Sequence, residues 1–154
     1  MKARTIAWTL VMCLVGLTFA FADNPQMGTW KLNDAKSKLP PGMPKNSTVV
    51  YEAAGDQVKI TIDGVDAKGA ATHSEWTGKF DGKDYPVTGD TTSDTRSYKK
   101  VNDHTLEFVA KKGEKAVLTG TITVSADGKT RSVTANGTGP DGKKVTGMVV
   151  YDKK

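Results

Sequence analysis

Two residues apart on one alternating segment, His73 and Glu75 present an imidazole and a carboxylate on the same face, a spacing that in principle lets both reach one metal ion. That face is opposite Trp76 and points to water, and no third ligand is identifiable, so a solvated pair is the expected state. His104 lies beside a turn with no acid placed to orient it, which argues against a serine or cysteine hydrolase triad. Asp81-Gly82-Lys83, Asp127-Gly128-Lys129 and Asp141-Gly142-Lys143 lack the alternating acidic ligands of a calcium loop and read as hairpin turns. The Asn46-Ser47-Thr48 and Asn136-Gly137-Thr138 sequons matter only in a glycosylating pathway. No catalytic constellation, metal site or cofactor motif emerges, and a non-enzymatic protein is expected.

The N-terminal stretch has the composition of an export signal. Lys2 and Arg4 precede an apolar run from Ile6 to Phe19, and Ala20-Phe21-Ala22 places small residues where a signal peptidase reads them, so residues 1–22 are expected to be removed before Asp23. The run is short of the roughly 20 apolar residues a spanning helix needs, and no later stretch approaches that length. Cys13 leaves with the leader, taking thiol and disulfide chemistry with it; Met12 is bulkier than the residue expected before a lipidated cysteine. Without Lys2 and Arg4 the remainder carries 20 basic and 17 acidic side chains, a net +3. Its lysines are scattered between turns rather than clustered as nucleic-acid binding requires. A periplasmic or extracellular, monomeric, single-domain protein over residues 23–154 is expected, with no membrane span.

The elements that must position any site are strands. Short alternating runs bounded by Gly, Asp, Asn and Lys recur about every ten residues. Gly55-Asp56 predicts the pairs Ala53 with Val58, Tyr51 with Ile60 and Val49 with Ile62. Ala67-Lys68-Gly69 predicts Ile62 with Ser74, Ile60 with Trp76 and Val58 with Gly78; Asp81-Gly82 predicts Gly78 with Tyr85 and Trp76 with Val87. Lys111-Lys112-Gly113 predicts Phe108 with Ala116 and Leu106 with Leu118. Asp127-Gly128 predicts Val124 with Arg131, Ile122 with Val133 and Gly120 with Ala135. Pro140-Asp141-Gly142 predicts Val133 with Val149 and Arg131 with Tyr151. Three loop residues at Val101-Asn102-Asp103 would oppose Tyr98 to Leu106 and Arg96 to Phe108.

Such a meander of hairpins with one apolar face removes its exposed edges by closing, which favours an up-and-down antiparallel β-barrel of about nine or ten strands over a sandwich. Gly78, Gly120 and Gly147 fall on the inward phase, permitting tight bends or leaving room inside. Between Asn33 and Asn46, the prolines at 40, 41 and 44 predict a rigid flap instead of a strand or helical lid.

Arg96 and Arg131 also fall on the inward phase, where an unpaired charge costs several kcal/mol. Arg131 should lie near Tyr151, and closure of the first strand on the last should bring Trp30 close enough for guanidinium stacking worth about 1 kcal/mol. Arg96 has no obvious partner, which makes it the better candidate to grip a ligand's carboxylate or phosphate, with a buried Glu or a water as the alternatives. Trp76, Phe80, Tyr98, Phe108, Leu118 and Tyr151 read either as core or as cavity walls.

Gly28-Thr29-Trp30-Lys31-Leu32 resembles the Gly-x-Trp signature that opens lipocalins and fatty-acid-binding proteins, the calycin superfamily, and Val149-Val150-Tyr151 resembles the last strand of the fatty-acid-binding branch. The resemblance implies a barrel that holds a small hydrophobic ligand, and a Trp-Arg plug formed by Trp30 and Arg131. Departures are the proline-rich flap in place of a helical lid, Val149 where the fatty-acid-binding branch carries an Arg, and Lys83-Asp84-Tyr85 as the nearest approach to the lipocalin Thr-Asp-Tyr motif. The function expected is non-catalytic binding of an apolar, acidic or neutral molecule by Trp76, Arg96, Tyr98, Phe108, Leu118, Arg131 and Tyr151. The alternative is a filled barrel acting as a structural or protein-interaction module of the cell envelope. An outer-membrane barrel is disfavoured by Lys59, Glu75, Lys79 and Glu107 at outward positions.

Overall fold

Alternation of apolar and polar residues resolves, in a computed structural model, into antiparallel strands β1 (Gly28–Leu32), β2 (Lys45–Ala54), β3 (Gln57–Val65), β4 (Ala71–Gly78), β5 (Tyr85–Thr88), β6 (Thr95–Asn102), β7 (Thr105–Lys112), β8 (Lys115–Val124), β9 (Thr130–Thr138) and β10 (Lys144–Lys153). The structure describes residues 24–139 and 141–154. The leader expected over residues 1–22 lies outside the described residues. Each strand pairs with its neighbours in sequence, and β1 pairs with both β2 and β10, so the ten strands form a closed up-and-down barrel.

Inward phase is set by the turns. Gly55, at φ +65°, takes the first position of a two-residue turn that a side chain would strain, and Ala53, Tyr51 and Val49 face Val58, Ile60 and Ile62 as the turn predicts. The registers expected across β3 and β4, β8 and β9, and β9 and β10 also hold, down to Ile60 opposite Trp76, Ile122 opposite Val133 and Arg131 opposite Tyr151. Trp30, Tyr51, Ile60, Trp76, Leu106 and Val124 are among the side chains this phase buries.

Three hairpins differ from expectation. The β6–β7 turn is Asp103-His104, so Tyr98 faces Phe108 and Arg96 faces Ala110, with Val101 bulged out of the ladder. At β7–β8 the turn is Gly113-Glu114, and Phe108 faces Gly120 while Leu106 faces Ile122. A two-residue turn alone would continue to Ala110 opposite Val117 and Phe108 opposite Thr119. The bulge at Val117 restores Leu118, Gly120 and Ile122 to the inward face, which is where burial places Ile122. Both corrections move partners by even numbers of residues, so the faces stay as the alternation predicts, except that Ala116, before the bulge, lies opposite Lys111 and is exposed.

The third departure is at Asp81-Gly82, which does not make a tight hairpin. Trp76 does face Val87, but the ladder stops there; Phe80 O accepts from Lys100 N at 3.2 Å and Gly82 N donates to Tyr98 O at 2.9 Å, so this segment turns to β6. Gly78 and Tyr85 are not ladder partners, and instead the Tyr85 ring rests against Gly78. Between β1 and β2 the flap holds a 3-10 turn at Asp34–Lys36 and one isolated bridge, Lys38 with Met148.

Candidate functional site

The two ends of the lumen are built differently. At the end where β1 begins, Trp30 Nε1 donates to Gln26 O at 2.9 Å, Gln26 Nε2 donates to His104 O at 3.1 Å, and Val124 N donates to the same His104 oxygen at 2.8 Å. Gln26 and Trp30 are fully buried by this arrangement, which seals the end as a floor. His104 faces its Nδ1 to Val124 O at 3.1 Å, so its imidazole pins a turn and stands beside no nucleophile in that contact.

Above the floor sits Arg131, 4% exposed, with its guanidinium carbon 4.7 Å from the Tyr51 ring, 5.4 Å from Tyr151 and 6.0 Å from Trp30. The stacking expected from Trp30 and Tyr151 is present, and Tyr51 adds both a third ring and a hydroxyl that accepts from Nη2 at 2.6 Å. Nε and Nη1 have no acceptor among the described residues. Each buried unmet donor costs about 1–3 kcal/mol, more when it carries charge. Burial raises the pKa of the Tyr51 and Tyr151 phenols, and the Arg131 charge opposes that rise without cancelling it.

Aromatic side chains fill the middle. Trp76 donates Nε1 to Arg96 O at 3.0 Å and meets Tyr98 edge-on at 4.7 Å between centroids; Phe80 stacks on Trp76 at 6.4 Å and Phe108 lies 6.2 Å from Tyr98. Glycines on the inward phase let these rings seat. A Cβ on Gly78 would come within 2.6 Å of both Trp76 and Tyr85, and one on Gly120 within 2.6 Å of Phe108. The room expected at these glycines is therefore taken by neighbouring rings, and at Gly147 by Leu39 of the flap.

Arg96 has a partner that lies outside its own strand and the strands beside it. Asp90, in the β5–β6 loop, accepts from Arg96 Nη2 at 2.5 Å, from Ser93 Oγ at 2.5 Å, from Thr92 Oγ1 at 2.7 Å and from Thr92 N at 2.8 Å. Burial favours the neutral acid, but the Ser93 and Thr92 hydrogen bonds and the Arg96 charge outweigh it and bring Asp90 down to about 2. The run Asp90-Thr91-Thr92-Ser93, dense in side chains that turn back on their own backbone, was the available signal. Arg96 Nε remains buried without an acceptor among the described residues.

Seven expected ligand residues thus divide. Trp76, Tyr98 and Phe108 form the aromatic row; Arg131 and Tyr151 join Trp30 and Tyr51 at the floor; Arg96 closes on Asp90. Leu118 packs at the edge of this core, half-buried at the flap end of β8, where it lines a depression of about 280 Å³ with Ala116, Gly137, Val145 and Thr146 among its neighbours. On the outer face, His73 Nδ1 meets Asp63 at 2.6 Å and Nε2 lies 3.7 Å from Glu75. Asp63 stands directly opposite His73 in the β3–β4 register, so this partner was readable from the turn. Its hydrogen bond, with help from the Asp63 and Glu75 charges, raises the His73 pKa. Among the described residues no group of three or more His, Cys, Asp or Glu side chains is arranged to hold a metal ion.

A scan of protein-family models and a search of curated proteins give no match. Among solved structures the chain is similar to EF1p2_mFAP2b bound to DFHBI, at 11% identity over 84% of this chain and 94% of that chain, with a TM-score of 0.46. It is also similar to a redesigned β-barrel, mFAP1, bound to DFHBI, at 15% identity over 82% of this chain and 97% of that chain, with a TM-score of 0.44.

Proposed function

We propose that this protein is a calycin-like carrier, exported by its leader to the periplasm or medium, that holds a small apolar molecule at the flap end of its barrel without transforming it. One observation carries the reading, the unequal ends of the lumen. Gln26, Trp30 and His104 seal the floor, whereas the flap end of β7–β10 presents Ala110, Leu118, Ala135, Gly137 and Gly147 at inward positions, beside the 280 Å³ depression. A volume of that size lies at the small end of ligand pockets. Each buried methylene contributes roughly 0.8 kcal/mol, so a ligand of about ten carbons reaches the micromolar range before association costs.

Fluorescence of an apolar probe titrated into the mature chain tests this. Binding that weakens at least about tenfold in Val145→Trp, which adds bulk to the depression, supports the reading, and a probe bound equally by both proteins counts against it. Native mass spectrometry of protein purified from its host, searching for a copurified small molecule, is the complementary measurement. Intact mass of the exported product checks cleavage before Asp23.

A second reading, a filled barrel acting as an envelope module, is favoured by the way rings occupy the inward glycines, Phe108 on Gly120 and Tyr85 on Gly78. It expects no probe binding and no copurified molecule.

A further inference from the structure

Arg131 carries a guanidinium charge, and the partners it has do not use all of it. Its one hydrogen bond among the described residues is Nη2 to the Tyr51 hydroxyl at 2.6 Å; its other contacts are ring faces, of Tyr51, Tyr151 and Trp30. Aromatic rings attract the charge through their π-faces, but they do not replace acceptors for N–H bonds lying in the guanidinium plane. Nε and Nη1 are left without any among the described residues, in a side chain 4% exposed. Tyr51, in accepting from Nη2, keeps its own O–H for donation, and burial holds that phenol protonated. Left over here are therefore one positive charge and unused donors on Nε, on Nη1 and on the Tyr51 hydroxyl. Across the lumen the other inward arginine has its charge paired, with Asp90 on Arg96 Nη2 at 2.5 Å.

We infer that Arg131 and Tyr51 form a buried anion site at the floor of the barrel, taking one monovalent carboxylate. The stoichiometry follows from the charge: one unpaired cation calls for one anion, and a carboxylate's two oxygens can accept one bond from an unused guanidinium N–H and one from the Tyr51 hydroxyl. Such a carboxylate has two sources, a free formate-sized ion or the head of an amphiphilic acid whose tail displaces rings from the middle of the lumen. The competing occupant is a water that bridges to Gln26 Oε1, a third buried atom at this end with no partner among the described residues. This site does not depend on the depression at the flap end, and neutral ligands of that depression would leave it unaffected.

The test follows the Arg131 Nε–H resonance and the thermal midpoint of the wild-type mature chain during titration with formate, octanoate and octanol, with sulfate balancing ionic strength. A shift of the resonance and a rise in midpoint with a carboxylate, and neither with octanol, supports the site. Formate acting alone identifies a free ion, and octanoate acting at concentrations where formate is silent identifies a headgroup. In Arg131→Met, checked for its fold by circular dichroism, carboxylate affinity should fall at least about tenfold. An Nε–H resonance that ignores both carboxylates, as a water-filled site requires, overturns the inference, as does an equal rise in midpoint in Arg131→Met.

Discussion

Tyr51 and Arg131 stand 80 residues apart in sequence and meet in the lumen at 2.6 Å, the phenol oxygen accepting from a guanidinium that has no other hydrogen-bond acceptor among the described residues. This pair exists only because β1 closes the sheet between β2, which carries Tyr51, and β10, which carries Tyr151 opposite Arg131. Its energetics are unusual. The charge is costly to bury, so the group that tempers the cost matters more to stability than the charge does.

Tyr51→Phe should accordingly destabilise by about 2 kcal/mol, the worth of a hydrogen bond to a charged group, while keeping the ring over the guanidinium. Arg131→Met should fall within about 1 kcal/mol of wild type, because removal of an ill-matched buried charge offsets the loss of stacking. The double variant should resemble Arg131→Met alone. Urea midpoints of the four proteins close the cycle; additive losses would show that the Tyr51 hydroxyl contributes independently of Arg131.

Where the turns carry glycine at the required place, the register could be read before any coordinates, and Ile60 opposite Trp76 or Arg131 opposite Tyr151 follows directly. What could not be read has physical causes. A bulge such as Val101 or Val117 is chosen by the competition between turn geometry and the burial of a whole strand, and leaves no local mark. Tyr51 reaches Arg131 only through closure. The Arg96 partner lies in an aperiodic loop, where alternation says nothing and only the density of Asp, Thr and Ser points to a structured turn.

Asp90 should make the fold acid-sensitive in a defined window. Its carboxyl sits at about 2 against an ordinary value of 3.8, so it contributes stability above that ordinary value, and that contribution, about 2 kcal/mol, fades as pH falls from 3.8 toward 2. Asp90→Asn should flatten that part of the pH profile. Asp90→Ala leaves the Arg96 guanidinium buried without its carboxylate and should cost about 3–5 kcal/mol, much of it recovered in Asp90→Ala with Arg96→Met. A double variant as unstable as the single one would show that Asp90 acts by ordering its loop alone.

Two glycines separate crowding from backbone strain. Gly78→Ala puts a methyl within 2.6 Å of the Trp76 and Tyr85 rings and should cost about 2–3 kcal/mol, with loss of near-ultraviolet circular dichroism from the displaced aromatics. Gly55→Ala meets nothing within 4 Å but must hold φ near +65°, and should cost about 1 kcal/mol with the aromatic signal intact. Equal spectra for the two variants would mean the rings have room to retreat from Gly78.

The Val117 bulge offers a test of phase itself. Deleting Val117 removes the extra residue and leaves Lys111 opposite Ala116 and Ala110 opposite Leu118, so every inward side chain keeps its place and stability should stay within about 1 kcal/mol of wild type. Deleting Thr119 also absorbs the bulge, but it carries Val117 inward opposite Ala110 and turns Leu118 out to solvent, at a cost of about 1 kcal/mol or more beyond the first deletion. Because Leu118 lines the flap-end depression, the second deletion should also weaken binding of an apolar probe there. If the two deletions prove equally stable and bind the probe alike, the face presented by β8 is decided by something other than the pairing of Ala110 with Leu118.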